Sequence, residues 1–215
     1  MMLDMPDRAT PAATLSTGFA GLDAVVDGLR IGDNVVWQVD NVADYRTVAR
    51  AFATQAVTDG RRVVYVRFGA HQRLLTDDDG VLTVEIDPDQ GFESFALRIH
   101  HLVNDEGPGV FYVFDSLTDL LPRWFSDLMI ANFFVVTCPY LFRLDTVAYF
   151  ALERSGHTHR TVARIRETTQ VLLDVYRRDG EVYVHPLKTW ERHSPTMFFP
   201  HRVRGDAAVP VTSSV

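Results

Sequence analysis

Asn34-Val35-Val36-Trp37-Gln38-Val39, followed by Asp40-Asn41-Val42-Ala43-Asp44 and then by Tyr45-Arg46-Thr47-Val48 and the residues up to Asp59, is the stretch that decides the fold. Its first part is a compact apolar run and its second is mostly polar. From Tyr45 onward, Val48, Phe52, Gln55 and Ala56 share one helical face while Arg50 and Thr54 point elsewhere. The order is strand, loop, helix. Gly60 ends the helix, and Arg62 to Phe68 forms a second strand whose apolar run suits a sheet covered on both faces.

The same alternation continues outward. Leu82 to Ile86 reads as a short strand, Gly91 to Asn104 as a helix, and Val110 to Asp115 as a buried strand with a carboxylate at its carboxyl end. From Trp124 to Arg143 length favours one helix or a pair around Pro139. Thr146 to Leu152 is a further strand and Thr158 to Thr169 a polar helix. Val171 to Tyr176 and Val182 to Leu187 form a hairpin turning at Arg178-Asp179-Gly180. Short strands alternating with helices predict an α/β protein with a mainly parallel central sheet and a C-terminal β-hairpin. Residues 1–14 and 206–215 lack periodicity and are expected to be tails, the first flexible, around one domain spanning 15–205.

The chain has 215 residues, of which 47% are hydrophobic and 23% charged, enough for one sizeable core without metals or disulfides. Its net charge of −7 disfavours nucleic acid as a partner. The basic residues from Arg154 to Arg166 read as a solvated helix face. The most apolar stretch, Leu128 to Phe142, is too short to span a bilayer. A single cysteine, Cys138, cannot make an internal disulfide, and a reducing cytoplasm is the expected location. Cys138 lies in an apolar run and reads as a buried hydrophobe. No metal site is expected: His100 and His101 diverge on a helix, and His157-x-His159 has no acidic or sulfur neighbour close in sequence.

Three motifs in order carry a resemblance. Leu15-Ser16-Thr17-Gly18-Phe19-Ala20-Gly21-Leu22-Asp23 and Gly28-Leu29-Arg30-Ile31-Gly32-Asp33 precede the first strand; Val113-Phe114-Asp115-Ser116-Leu117-Thr118 ends the buried strand; Pro186-Leu187-Lys188-Thr189-Trp190-Glu191-Arg192-His193-Ser194 comes late. Over roughly Leu15 to Arg204 the chain resembles RecA-like domains of the KaiC and RadA type. There, a TG-x-x-GLD turn precedes the phosphate loop, a hydrophobic Walker B strand ends in Asp-Ser, and a Lys-x-Arg strand often faces a neighbouring subunit's nucleotide. The resemblance implies a RecA-like three-layer sandwich. It also implies remnant nucleotide-binding positions at Tyr45, Arg46, Thr47, Asp115, Ser116, Lys188 and Arg192.

The phosphate loop departs from that pattern. A working loop reads G-x-x-x-x-G-K-[ST], with glycines for close backbone approach, a lysine for the phosphates and a hydroxyl for Mg²⁺. The matching octet is Val39-Asp40-Asn41-Val42-Ala43-Asp44-Tyr45-Arg46, and every one of those positions is replaced. Moving the frame by one brings Thr47 to the hydroxyl place and Arg46 to the lysine, but puts Tyr45 at a glycine. Asp40 and Asp44 add repulsion of roughly 3 kcal/mol per charge pair about 5 Å apart at an effective dielectric of 20. After the second strand, where ATP-hydrolysing relatives carry glutamate, stand Gly69 and Ala70, with His71 close by. From the residues alone, Asp115 and Ser116 read as helix caps rather than Mg²⁺ ligands, and Gly18, Gly21, Gly28 and Gly32 as turn glycines.

The function expected from the sequence is a degenerate KaiC-like domain, inactive as an ATPase by the family mechanism and without catalytic residues. It would act as a regulatory or protein-interaction module through a protein partner or self-association, with at most weak binding of ATP or ADP with Mg²⁺. The alternative is an accessory subunit or nucleotide- or phosphate-ester-binding component of an ATP-dependent enzyme such as a phosphoenolpyruvate/pyruvate dikinase-type system, with Arg46, Lys188 or Arg192 as phosphate clamps.

Overall fold

The computed structural model describes residues 14–124, 126–205 and 207–211. The N-terminal segment expected as a tail lies outside them, except for Thr14. The described chain is α/β. Its elements are α1 (Ala20–Val26), β1 (Asn34–Val39), α2 (Val42–Thr58), β2 (Val63–Arg67), β3 (Leu82–Glu85), α3 (Phe92–Glu106) and β4 (Phe111–Ser116). There follow α4 (Asp127–Arg143), β5 (Val147–Glu153), α5 (His159–Thr168), β6 (Val171–Arg178), β7 (Glu181–Thr189), β8 (His201–Arg204) and β9 (Ala207–Pro210). All nine strands join one sheet in the order β3-β2-β4-β5-β1-β6-β7-β8-β9. The pairings from β3 through β6 are parallel and those from β6 through β9 antiparallel.

Strand alternation divides the core into two layers. Val35, Trp37, Val39, Tyr65, Val113 and Tyr149 pack beneath α1 and α2, with Phe52 stacked on Tyr149 at 3.9 Å between ring centroids. Val36, Val64, Val66, Tyr112, Phe114 and Phe150 pack on the other face beneath α3, α4 and α5. The sheet is therefore covered on both sides, as near-continuous apolar strands require.

Two boundaries differ from the sequence expectation. α2 begins at Val42 rather than at Tyr45, because the Asn41 side chain accepts from the Asp44 amide at 3.1 Å and starts the helix early. Residues Ala207–Pro210, expected as part of a tail, instead pair with β8, and β8 itself was not foreseen. The 124–143 ambiguity resolves into one helix, α4, that runs through Pro139 and buries Ile130, Phe133, Phe134, Cys138 and Leu141 at helical spacing. Burial pushes the Cys138 thiol well above its ordinary pKa, as suits an inert core residue. Among the described residues no helix is long and apolar enough to cross a membrane.

The β6–β7 turn falls where expected. Arg178 pairs with Glu181, and Asp179 and Gly180 take φ of 52° and 80°, the two positive values that a type I′ hairpin turn needs.

The TG-x-x-GLD segment is a closed turn. The Asp23 carboxylate accepts from the Thr17 amide at 2.7 Å, the Thr17 hydroxyl at 2.6 Å and the Ser16 hydroxyl at 2.5 Å. Gly18, with φ of 88°, lies so close to α2 that a Cβ there would stand 2.4 Å from the Ala51 carbonyl. Gly21 differs from the expected turn glycines: it lies inside α1.

Candidate functional site

In open α/β sheets ligands bind beyond the carboxyl ends of the strands, and the chemistry-bearing residues of this chain gather there in two groups. The first lies between β1 and α2. Only Asp40 and Asn41 separate Val39, the end of β1, from Val42, the start of α2. The octet that would match a phosphate loop is therefore strand end, two-residue connection and first helical turn. A polypeptide that short cannot wrap around a phosphate.

The side chains of this connection fill it themselves. Asn41 Oδ1 caps the Asp44 amide, and Asn41 Nδ2 donates to Asp44 Oδ2 at 2.9 Å. The buried Asp44 carboxylate accepts from Arg177 Nε at 2.8 Å and Nη2 at 2.6 Å. Asp40 takes Arg154 Nε at 2.9 Å, and the same guanidinium reaches Asp174 at 2.7 Å. The electrostatic objection drawn from Asp40 and Asp44 is thus weaker than the sequence implied, since each carboxylate has its own arginine. The geometric objection is stronger.

Tyr45 is fully buried and its hydroxyl donates to the Phe114 carbonyl at 3.0 Å. Arg46 donates to Gln72 Oε1 and to the Gln72 carbonyl, each at 3.1 Å. The Thr47 hydroxyl turns back to the Ala43 carbonyl at 3.4 Å.

The second group surrounds the end of β4. Asp115 is fully buried: Oδ2 accepts from the Phe68 and Gly69 amides at 2.9 and 2.8 Å, and Oδ1 accepts from the Tyr65 hydroxyl. It does not cap the short 3-10 turn Leu117–Leu120 that follows it, contrary to expectation, because its side chain turns toward the loop after β2. Ser116 does cap, accepting from the Thr118 amide at 3.3 Å. Gly69 lies close against this group, since a Cβ would stand 2.2 Å from Asp119 Oδ2 as that side chain is placed. A glutamate at that position would require Asp119 and His71 to move.

His71 occupies the space left. Its Nδ1 lies 2.7 Å from the Gln72 carbonyl, and its Nε2 lies 3.1 Å from Asp119 Oδ2 and 3.5 Å from Asp115 Oδ1. Nδ1 is hydrogen-bonded to the carbonyl, while Nε2 is within ion-pair distance of both carboxylates, an arrangement that favours the protonated ring. Burial lowers the pKa, but Asp119, the Gln72 carbonyl and the charge of Asp115 more than offset it, so the net shift is upward. Burial, then Asp119, also raises Glu153 at the end of β5, with His71 and His157 opposing. Arg67 Nη2 donates to the His71 carbonyl at 3.3 Å, and its Nε lies 3.5 Å from Glu85 Oε1.

A pH dependence follows. A histidine raised in the folded state stabilises fully below its unfolded pKa, about 6.5, and the contribution is lost as pH rises through the higher folded value. His100 and His201 are lowered by burial and act with the opposite sign. The expected result is that the difference in urea unfolding free energy between wild type and His71→Gln shrinks from pH 6 to pH 8. A difference constant across that window would show that His71 is not held as an imidazolium.

Beside this lies a relay that sequence did not suggest. Thr118 Oγ1 stands 2.8 Å from His157 Nε2, and His157 Nδ1 stands 2.6 Å from Asp127 Oδ1. The Thr158 amide and hydroxyl bind Asp127 Oδ2 at 2.9 and 2.8 Å. Burial raises the Asp127 pKa, but hydrogen bonds from Thr161, His157 and Thr158 bring it below its ordinary value. The connectivity is that of a hydroxyl, a base and an acid, but the hydroxyl is not presented for attack. It accepts the Glu153 amide at 2.8 Å, and the Thr118 methyl packs where a Cβ on Gly156 would meet it at 2.6 Å. The His157 side chain is 1% exposed. The relay ties the β4, β5 and α4 termini together.

Lys188 and Arg192 lie elsewhere. Because β7 runs antiparallel to β6, Thr189 pairs with Val171, and Val171 pairs with Val35 near the start of β1. Both basic residues are thus at the edge opposite Arg46 and Asp115. The Lys188 ammonium donates to the Arg166 and Glu167 carbonyls at the end of α5, at 2.7 and 3.2 Å, and burial with nearby Arg166 lowers its pKa. Arg192 is buried against Asp33.

No protein-family model matches this chain, and no curated protein matches it. Among the described residues no group of three or more His, Cys, Asp or Glu side chains is placed to hold a metal ion.

Proposed function

We propose that the chain is a RecA-like, KaiC-type domain that no longer works on nucleotide and serves as a regulatory or protein-interaction module. The observation that carries this is the two-residue β1–α2 connection closed by Asn41, Asp44, Tyr45 and Arg177. The commitment of Arg46, Lys188 and Arg192 to internal partners leaves no free phosphate clamp among the positions the resemblance implies. The mainly parallel sheet, covered on both faces and ending in a hairpin, agrees with the architecture the resemblance implies. An interaction role is favoured by the exposed apolar side chains. Among the described residues, Trp190, Phe198, Phe199, Val209 and Val211 are all exposed and all follow β7.

The test is calorimetry and thermal unfolding with millimolar ATP, ADP and phosphoenolpyruvate, each with Mg²⁺, alongside sedimentation velocity. No binding heat and no stabilisation are expected, whereas a ligand at 100 times its Kd would add about 2.7 kcal/mol. Self-association is expected without nucleotide and weakened by Phe198→Ser. ATP turnover lost on Asp115→Ala would overturn the proposal; stabilisation by phosphoenolpyruvate alone would favour the dikinase-associated component instead.

A further inference from the structure

A cavity of about 150 Å³ lies between α1, the first half of α2 and the inner face of the C-terminal strands. Its apolar wall includes Phe19, Leu22, Val48, Val175, Val184 and Val203. An apolar cavity of about 150 Å³ in another protein stays dry and admits benzene. The cavity here is likewise mostly apolar and of similar volume, and it opens to solvent on one side.

The polar groups at its rim are Asp44, Thr47 and Arg177. Their acceptors and donors are not equally committed. Asp44 Oδ1 already takes two N–H groups of Arg177, and Oδ2 takes the Asn41 amide. The Thr47 hydroxyl donates to the Ala43 carbonyl. Arg177 carries five N–H donors, of which two engage Asp44, and its side chain is 55% exposed. The rim's uncommitted donors are therefore those of Arg177, since the Thr47 hydroxyl has given its proton to Ala43 and Asp44 Oδ1 is shared by two N–H groups. A nucleobase, which needs several hydrogen-bond partners along its ring edge, finds none on the aliphatic wall.

We propose that this cavity binds a small carboxylic acid with one compact apolar group of about benzene size. The apolar group enters the cavity, and the carboxylate takes the remaining N–H groups of Arg177 as charge-assisted hydrogen bonds. This goes beyond the interaction role and does not depend on it: it concerns a small-molecule site on the α1/α2 face of the sheet, whose lining contains none of the exposed apolar residues named above.

The test titrates the full chain with 3-phenylpropionate and with its uncharged amide, following binding by calorimetry and by NMR shifts. The acid is expected to bind at least tenfold more tightly than the amide. In the Asp44→Asn/Arg177→Gln double variant, which removes both charges together, that ratio is expected to fall below twofold while amide affinity holds. Ala208→Phe, which fills the cavity from β9, is expected to abolish binding of both. If that variant does not fold, Val203→Leu on the same wall is expected to weaken both at least fivefold. Four results would overturn the proposal. These are no binding of the acid, equal affinity of acid and amide, displacement of the acid by ADP, and a changed sedimentation coefficient for ligand-free Ala208→Phe, which would assign the cavity to a contact between copies.

Discussion

Arg192→Met is expected to destabilise the protein by about 3–5 kcal/mol, the usual cost of stripping one partner from a buried ion pair. Arg192 and Asp33 are each 3% exposed, and Arg192 Nη2 donates to Asp33 Oδ2. With the guanidinium gone, Asp33 keeps the Arg30 amide at 2.7 Å but no countercharge on that side. For a chain of this length such a loss lowers Tm by about 6–20 °C. Burial already pushes the Asp33 pKa above its ordinary value, against the pull of Arg192 and the Arg30 amide. Without Arg192 that rise is larger. A carboxyl raised in the folded state contributes stability that is fully present below its unfolded pKa, about 3.9, and lost as pH rises through the folded value, so the deficit of the variant is expected to be smaller in acid than at neutral pH.

The companion experiment removes both charges. Asp33→Asn/Arg192→Met is expected to recover most of the loss, because desolvation makes such a pair nearly break even against neutral groups. Arg192 Nε and Nη1 find no hydrogen-bond partner among the described residues, which makes the native pair an incomplete one. Urea denaturation of the two single variants and the double variant measures the coupling directly. A double variant as unstable as Arg192→Met alone would show that the guanidinium contributes by packing rather than by charge.

The position of that pair shows what was legible in the sequence. The Asp179-Gly180 turn was read correctly, and a tight hairpin by itself carries β7 back toward the start of β6. The separation of Lys188 and Arg192 from Arg46 was therefore available from the turn alone, had the motif not drawn all three toward one nucleotide. The early start of α2 was also available, since Asn41 with Asp44 three residues later is a helix-start pattern. Strands β1, β2, β4 and β5 were legible because both their faces are apolar and buried. By contrast, β8 and β9 span four residues each, and only His201 is buried in them, so no period emerges. The Thr118–His157–Asp127 relay was not legible, because its members stand 39 and 30 residues apart and only the return of β5 beside β4 brings them together.

The second large effect is expected at Tyr45, where Tyr45→Ala should cost about 3–5 kcal/mol, as truncation of a buried aromatic ring does. The ring is fully buried in the layer beneath α2, and its hydroxyl reaches the Phe114 carbonyl. Burial, reinforced by the charge of Asp115, raises the phenol pKa well above its ordinary value, so the group stays a donor. Tyr45→Phe keeps the ring and should cost about 1 kcal/mol for the lost hydrogen bond. The large difference between the two variants, measured by urea unfolding, assigns the effect to the volume of the ring. Tyr45→Gly, which supplies a glycine where the shifted octet calls for one, should be less stable still, because an interior helical glycine adds about 1 kcal/mol relative to alanine. None of the three is expected to bind ATP. Clearing the ring leaves α2 starting at Val42, its first turn capped by Asn41, Asp44 paired with Arg177, and Arg46 held by Gln72. If millimolar ATP with Mg²⁺ restored stability to Tyr45→Gly, the tyrosine alone would be the block and the short connection would not; continued indifference to ATP places the loss in the backbone itself.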